Sequence, residues 1–310
     1  MAHAERLAYL LMAVVAGAGC RSEADASPPR DGGTGGFAVG GTGGHGGASA
    51  NTKSGAVIVV APGVMTGAAN YFASAGFSDG PHLLPAGEFT SLAFDIGEPD
   101  GCTQVAVDGC RVFRCPGVIS TRTGQGMEPN IGAITISWPI PSAPAAGGLP
   151  LPVINPDNYD LFFWSTAMPV ARFAFSATGA AIPTFPVTEV DVPELFEVTQ
   201  FGDNPASATP PPTVPRAAGL RVAWIGGTGD VVFELQQRPP GSDGELRAVC
   251  RVAGAAGSFT FASGVLGEMQ PGELSMHASA VSRKTVAAGA YATTLAVAAP
   301  YPWRFPLTLE

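Results

Sequence analysis

Short apolar runs separated by glycine and proline are the feature that most constrains the fold of this chain. From Gly55 onward, no segment of a dozen residues keeps a helical period, apart from one short helical turn expected around Ser263–Met269. Runs rich in Val, Ile, Phe and Thr recur at roughly ten-residue spacing, a pattern typical of β-sandwiches. The candidate strands are Ala56–Ala61, Phe89–Ile96, Thr103–Val107, Ala133–Trp138, Leu161–Ser165, Ala171–Ala177, Leu220–Ile225, Val231–Gln236, Leu246–Val252, Ser258–Ala262, Leu274–Ser279 and Ala292–Ala298.

Within several of these runs, apolar side chains occupy every second position. Phe173 and Phe175 share one face of their run, and Leu220, Val222 and Trp224 share one face of theirs. Alternation of this kind marks strands with one buried face. The sequence therefore predicts an all-β protein with one or two immunoglobulin-like β-sandwich modules after a disordered Gly-rich tether.

A proline-rich break divides the predicted β-rich region. Thr199–Pro215 contains Gly202, Asp203, Asn204 and three consecutive prolines, which favours a stiff extended connection. We predict one β-rich module at 55–198 and a second sandwich at 216–310, which has the length of one immunoglobulin-like domain. The alternative is a long crossover inside a single two-sheet body.

The charge of the chain excludes some classes of partner. Only 13% of the 310 residues are charged, against roughly 25% in a typical soluble domain. The net charge of −9 argues against nucleic acid and anionic lipid headgroups. No apolar run reaches the roughly 18–20 residues that span a bilayer.

The first residues have the pattern of an export signal. A short n-region ending at Arg6 precedes the apolar segment Leu7–Ala16, which small residues then close before Cys20. An apolar segment of about ten residues has the length of a signal-peptide core. We therefore predict a signal peptide over residues 1–19.

Ala18-Gly19-Cys20 resembles the lipobox of bacterial lipoproteins, whose cysteine becomes the lipidated N-terminus. The resemblance implies a palmitate-bearing membrane anchor at Cys20, with simple secretion as the alternative. In that family an aspartate after the cysteine favours inner-membrane retention. Arg21 stands there in this chain, so the resemblance implies an outer-membrane lipoprotein on the cell surface or facing the periplasm.

Residues 20–54 have the composition of a flexible tether. Two copies of Gly-Gly-Thr-Gly-Gly lie at 32–36 and 40–44, among Ser, Ala, Asp and Pro. Such a segment cannot bury enough apolar surface to offset the entropy of ordering. Signal and tether together resemble uncharacterised bacterial lipoproteins with a β-sandwich body, which implies attachment to the cell envelope and no activity.

Four cysteines remain after Cys20, an even number that favours two disulfides in an exported chain. Three pairings are open, and crowding around the turn at Asp108-Gly109 suggests that at least one bond is local. Zinc is the alternative, but the spacing is poor and no CxxC pair exists. The candidates are Cys102, Cys110, Cys115 and Cys250.

One string matches a catalytic motif, G-x-S-x-G, in which the central serine is a nucleophile. It places Ser78 at that position, with His82 or His277 as the base that a serine needs. No buried strand precedes it and no helix follows, so a plain turn serine is the favoured interpretation.

Acidic residues offer no selected pair for glycoside hydrolysis. The best oxygen-ligand cluster is Asn155–Asp160, which we interpret as a turn into the strand at Leu161 rather than a calcium site. No phosphate loop or nucleotide fingerprint appears, so the sequence predicts no cofactor and no metal.

Aromatic residues near the C-terminus form a candidate binding face. Alternation puts Tyr301, Trp303 and Phe305 on one side of a proline-flanked segment. A sugar or protein ligand could contact such a platform, although a terminal strand more often covers the core. Overall we predict a non-enzymatic binding, adhesion or structural protein, with a secreted hydrolase of dispersed catalytic residues as the alternative.

Overall fold

A computed structural model describes residues 53–61, 69–78, 95–96, 101–116, 131–138, 147–151, 153–155, 158–166, 170–300 and 304–310. These residues are mostly in strands, which confirms the prediction of an all-β fold. Cys20 and the predicted signal and tether up to residue 52 lie outside the described residues.

A short helix, α1, spans Ser263–Glu268 and confirms the predicted helical turn, and a 3-10 turn spans Gly254–Ala256. Asp95 and Ile96, expected in a strand, are helical. The strands are β1 (Lys53–Val60), β2 (Ala69–Ser78), β3 (Thr103–Val107), β4 (Cys110–Cys115), β5 (Ile134–Trp138), β6 (Gly147–Leu151), β7 (Val153–Asn155), β8 (Asn158–Thr166), β9 (Arg172–Ala177), β10 (Thr188–Asp191), β11 (Phe196–Phe201), β12 (Asn204–Pro205), β13 (Thr213–Val214), β14 (Leu220–Gly226), β15 (Asp230–Gln237), β16 (Glu245–Ala253), β17 (Ser258–Phe261), β18 (Gly272–Ala288), β19 (Tyr291–Pro300) and β20 (Phe305–Leu309).

These strands form one large sheet and two small ones. The large sheet has twelve strands, ten of them in the order β3-β4-β16-β15-β18-β19-β1-β2-β8-β7, while β20 pairs with β18 and β13 with β20. One small sheet has the order β10-β9-β5-β6, and the other has the order β12-β11-β14-β17. We call the first the β9 sheet and the second the β14 sheet.

Two hydrophobic cores lie on one face of the large sheet, which we call the inner face. The first core joins β15, β16 and β18 to the β14 sheet, with Phe233 against Trp224 at 5.2 Å between ring centroids. The second core joins β1, β2 and β19 to the β9 sheet, with Tyr71 against Phe173 at 5.4 Å. Each small sheet therefore forms a sandwich with its own part of the large sheet.

β18 contributes to both cores because its 17 residues run past both small sheets. Leu274 and Met276 belong to the first core, whereas Ala288 belongs to the second and Val286 packs against it. All four are even-numbered, so the period of two keeps them on the inner face along the whole strand.

The structure differs from the predicted division at Thr199–Pro215. β1 from the first segment pairs in parallel with β19 from the second, and β4 pairs with β16. The break itself contributes the end of β11 and the short strands β12 and β13. A proline lacks a backbone N–H donor, but the other residues of the segment keep theirs, so the segment still pairs with neighbouring strands. The two cores thus share one sheet.

Two disulfides link Cys102 to Cys115 and Cys110 to Cys250, which confirms the prediction and excludes a zinc site at these cysteines. The first closes the local β3–β4 hairpin, whose tight turn has positive φ at Asp108 (49°) and Gly109 (80°). The second joins β4 to β16 across 140 residues of sequence.

The two disulfides should contribute unequally to stability. Loop-closure entropy predicts a loss of about 5 kcal/mol for Cys110→Ala/Cys250→Ala and about 3 kcal/mol for Cys102→Ala/Cys115→Ala, because the sequence separations are 140 and 13. Chemical denaturation of the two double variants measures both losses against the unaltered chain. A larger loss from the local pair would contradict the argument.

Candidate functional site

Charged and polar side chains gather on the outer face of the large sheet, opposite the two small sheets. Strand register places Glu234 opposite His277, and Gln236 opposite both Arg247 and Ser275. With Glu245 these residues form what we call the outer-face cluster. It lies beside a third apolar group on the same face that includes Val232, Val249 and Val281.

Arg247 is the centre of the outer-face cluster. Its Nε and Nη2 donate to Glu245 Oε2 at 3.0 and 2.7 Å, and its Nη1 donates to Glu234 Oε1. The side chains of Arg247 and Glu234 are only 5% and 1% exposed. A buried guanidinium between two carboxylates needs these bonds, because an unpaired buried charge is strongly destabilising.

The two carboxylates have opposite pKa shifts. Burial raises the pKa of Glu234, and the attraction of Arg247 opposes that rise without cancelling it. Burial also disfavours the charged form of Glu245, but the bonds from Arg247 and from Gln236 Nε2 (2.8 Å) outweigh it and lower the pKa. Through Arg247 and Gln236, the hydrogen bonds of both carboxylates therefore link β15 to β16.

His277 is held in its neutral form. Burial lowers its pKa to about 4, and the positive charges of Arg304 and Arg247 act in the same direction. Its Nε2 lies 3.4 Å from Ser275 Oγ. A general base works best with a pKa near the operating pH, so this imidazole is a weak base for the Ser275 hydroxyl at neutral pH.

A second polar group lies on the same face around Asp95, whose side chain is 4% exposed. Arg251 Nε donates to its Oδ1 at 3.0 Å and Arg283 Nη1 to its Oδ2 at 3.4 Å. Arg111 Nη1 also donates to its backbone carbonyl at 3.1 Å. These bonds fix residue 95 to three strands of the large sheet and are structural in character.

Ser78, which the sequence favours as a plain turn serine over a nucleophile, is the last residue of β2 and is not brought near His277. Ser78 pairs with Ser54 of β1, and Ser54 pairs with Ala292 of β19. Ala292 in turn pairs with Ala287 of β18, which lies ten positions along that strand from His277. Ten strand residues correspond to on the order of 30 Å. His82 lies outside the described residues.

The sequence favours a turn over a calcium site at Asn155–Asp160, and residues 156–157 lie outside the described residues. Asn155 at the end of β7 pairs with Asn158 at the start of β8. Over the part of the chain that the structure describes, no three His, Cys, Asp or Glu side chains are grouped to hold a metal ion.

The candidate aromatic face is only partly described, because Tyr301 and Trp303 lie outside the described residues. Phe305 is not on the surface: it is 7% exposed and packs on Phe201 at 5.0 Å between ring centroids. Pairing of β20 with β18 buries Phe305, Leu307 and Leu309 on one side, so Phe305 has a core role.

Sequence reasoning did not identify the outer-face cluster. Glu234 lies between Phe233 and Leu235 in β15, which also carries Asp230, and Arg247 lies in β16, which also carries Glu245 and Arg251. A buried charge in a strand implies an oppositely charged partner. The sequence does not say which strand supplies it.

No family model and no curated protein matches the chain. Among solved structures, the chain is similar to the FN1-FN3 domains of chicken CNTN1, at 8% identity over 78% of this chain and 75% of that chain. The TM-score is 0.21, so this similarity carries no argument about the fold or function of the chain. The fold assignment therefore rests on the sheets themselves. Among the described residues, no helix is long and apolar enough to cross a membrane.

Replacing Arg247 should destabilise the body strongly. Arg247→Leu leaves Glu234 as an uncompensated buried charge, and such losses are about 3–5 kcal/mol. Arg172→Leu is the matched control, because Arg172 pairs with Glu189 and Asp191 at the surface, where solvent screening leaves ion pairs a small effect on stability. Urea unfolding measures both, and equal losses would contradict a central role for Arg247.

The low pKa of His277 should make stability depend on pH. Between its ordinary pKa of 6.5 and about 4, the unfolded chain binds a proton that the folded chain does not, so this contribution falls as pH falls. After allowance for solvent screening the loss is on the order of 1–2 kcal/mol. Unfolding free energies at pH 7.5 and 4.5 should differ less in His277→Gln than in Ser275→Ala. Identical pH dependence in both variants would show that His277 is not responsible.

Proposed function

We propose that this chain is a lipid-anchored protein of the cell envelope whose β-sandwich body has a non-enzymatic binding or structural role. The observation that carries the proposal is the pair of disulfides, Cys102–Cys115 and Cys110–Cys250. Structural disulfides form and persist in oxidising compartments such as the periplasm and the cell surface. Export from the cytoplasm would therefore let this β-sandwich body form and keep its two disulfides.

The N-terminal residues supply the second support. The apolar segment Leu7–Ala16 followed by Ala18-Gly19-Cys20 has the pattern of a lipoprotein signal, and Cys20 is the residue that would receive the lipid. As a flexible tether, the Gly-rich residues that follow would have a root-mean-square reach of roughly 30–35 Å. A tether of that length would hold the body clear of a membrane surface.

The polar residues of the outer face support a non-enzymatic role. Glu234, Glu245 and Arg247 are committed to one another, and Asp95 is committed to arginines on three strands. His277, with a pKa of about 4, is poorly suited to proton transfer at neutral pH. These groups stabilise the large sheet rather than converge on a reacting atom.

Metabolic labelling with an alkyne analogue of palmitate tests the anchor. In a bacterial host with an outer membrane, the unaltered chain and the control Ser22→Ala should be labelled and fractionate with outer membranes. Cys20→Ala should lose the label and the membrane association, because it lacks the acceptor thiol. Arg21→Asp should keep the label and move to the inner membrane. Label retained in Cys20→Ala would refute lipidation at this cysteine.

Protease treatment of intact cells then separates the two envelope roles. Cleavage of the body on intact cells directs ligand screens to glycans and to proteins of neighbouring cells. Protection until the outer membrane is opened indicates a periplasmic binding or assembly role.

A further inference from the structure

The strand β3 ends the large sheet and has an unusual composition for an edge. Its sequence is Thr-Gln-Val-Ala-Val, with no charged residue, glycine or proline, and it pairs with β4 on one side only. Its first four residues are exposed, including Val105 at 38%. A neutral, exposed edge strand is a template for pairing with another strand.

Several other edges of the described sheets carry the usual protection against such pairing, although β17 at the end of the β14 sheet is, like β3, without charge, glycine or proline. β10 has Glu189 and Asp191, which pair with Arg172, and β6 contains Pro150. β12 has two residues only. Charges, prolines and short length are the devices that block edge pairing, and β3 has none of them.

The hydrogen-bonding groups of β3 that point outward follow from the hairpin. The two-residue turn at Asp108-Gly109 makes Val107 and Cys110 a hydrogen-bonded pair, and pairs alternate along an antiparallel ladder. The N–H and C=O of Gln104 and Ala106 therefore point away from β4. Among the described residues, the N–H and C=O groups of Gln104 and Ala106 have no hydrogen-bond partner on that side.

The first disulfide gives independent support for this register. Cys102 and Cys115 extend the same ladder by one position beyond the Thr103–Arg114 pair, and their Cα atoms are 4.2 Å apart. That spacing belongs to a non-hydrogen-bonded pair, which lies near 4.5 Å, rather than to a hydrogen-bonded pair near 5.5 Å. Gln104, two residues on, is then also in a non-hydrogen-bonded pair with β4.

We propose that β3 pairs antiparallel with β3 of a second copy of this chain, about a two-fold axis at Val105. In that register Gln104 of one copy faces Ala106 of the other, so the four outward N–H groups and four C=O groups form two hydrogen-bonded pairs with four bonds. The two Val105 side chains meet at the axis, and Thr103 of each copy meets Val107 of the other.

The second copy fits this edge because the strand is complementary to itself. Thr103, Val105 and Val107 share one face, since they alternate with Gln104 and Ala106, and two-fold pairing joins them into a stripe of six β-branched residues. No like charges meet within the strand, although the whole chain carries −9. Disulfides next to both ends of β3 fix the hairpin before association, which lowers the entropy cost of docking.

Disulfide trapping tests the register directly in the full chain carrying Cys20→Ala. Val105→Cys places one cysteine of each copy at the axis, with their Cα atoms about 4.5 Å apart, a spacing that a disulfide can bridge. Thr103→Cys is the matched control, because its two copies lie about 13 Å apart along the strands. We expect a covalent dimer on a non-reducing gel for Val105→Cys and at least ten-fold less for Thr103→Cys. Equal cross-linking, no cross-linking, or a Val105→Cys adduct with another protein would overturn the proposal.

A backbone variant tests the hydrogen bonds. Ala106→Pro removes an outward N–H that β4 does not use, whereas Ala106→Ser keeps it. Sedimentation velocity of the full chain carrying Cys20→Ala should show a dimer whose dissociation constant rises at least ten-fold in Ala106→Pro and stays within two-fold in Ala106→Ser. A folded Ala106→Pro that dimerises normally would refute the pairing. If that variant unfolds, the trapping result decides. Neither experiment depends on lipidation.

Discussion

The inner face of β18 is the surface on which the rest of the body depends. One strand of 17 residues supplies Leu274 and Met276 to the first core, and Val286 and Ala288 lie at the second. Because a strand keeps its even positions on one face, a single continuous element aligns two small sheets on one side of a large one. A substitution that distorts the centre of β18 would therefore disturb the packing of both cores.

The chain closes on itself through pairings that are distant in sequence. β1 lies parallel to β19, more than 230 residues further along, and Cys110 is bonded to Cys250. Such contacts require large loops to close before any core is complete, which favours slow folding. The oxidising compartment that we propose for the protein would supply the covalent link between β4 and β16.

The polar groups of the outer face and the edge at β3 differ in what they leave unsatisfied. Arg247 holds both Glu234 and Glu245, and Asp95 is held by arginines, so these charges are used within the body. At β3 the backbone of Gln104 and Ala106 points outward instead. Groups that are already paired stabilise a sheet, whereas unpaired backbone on an edge favours association. An interaction role for the body is in keeping with that contrast.

Composition and alternation determined the all-β class, the Asp108-Gly109 hairpin and the helical turn at Ser263–Met269, because each depends on residues close together in the chain. Only the tertiary structure decided which of three disulfide pairings forms, that Arg247 meets Glu234, and that Phe305 is buried. A period of two tells which side chains share a face but not which strand lies alongside. Strand pairing depends on packing across the whole body, which the local sequence pattern does not specify.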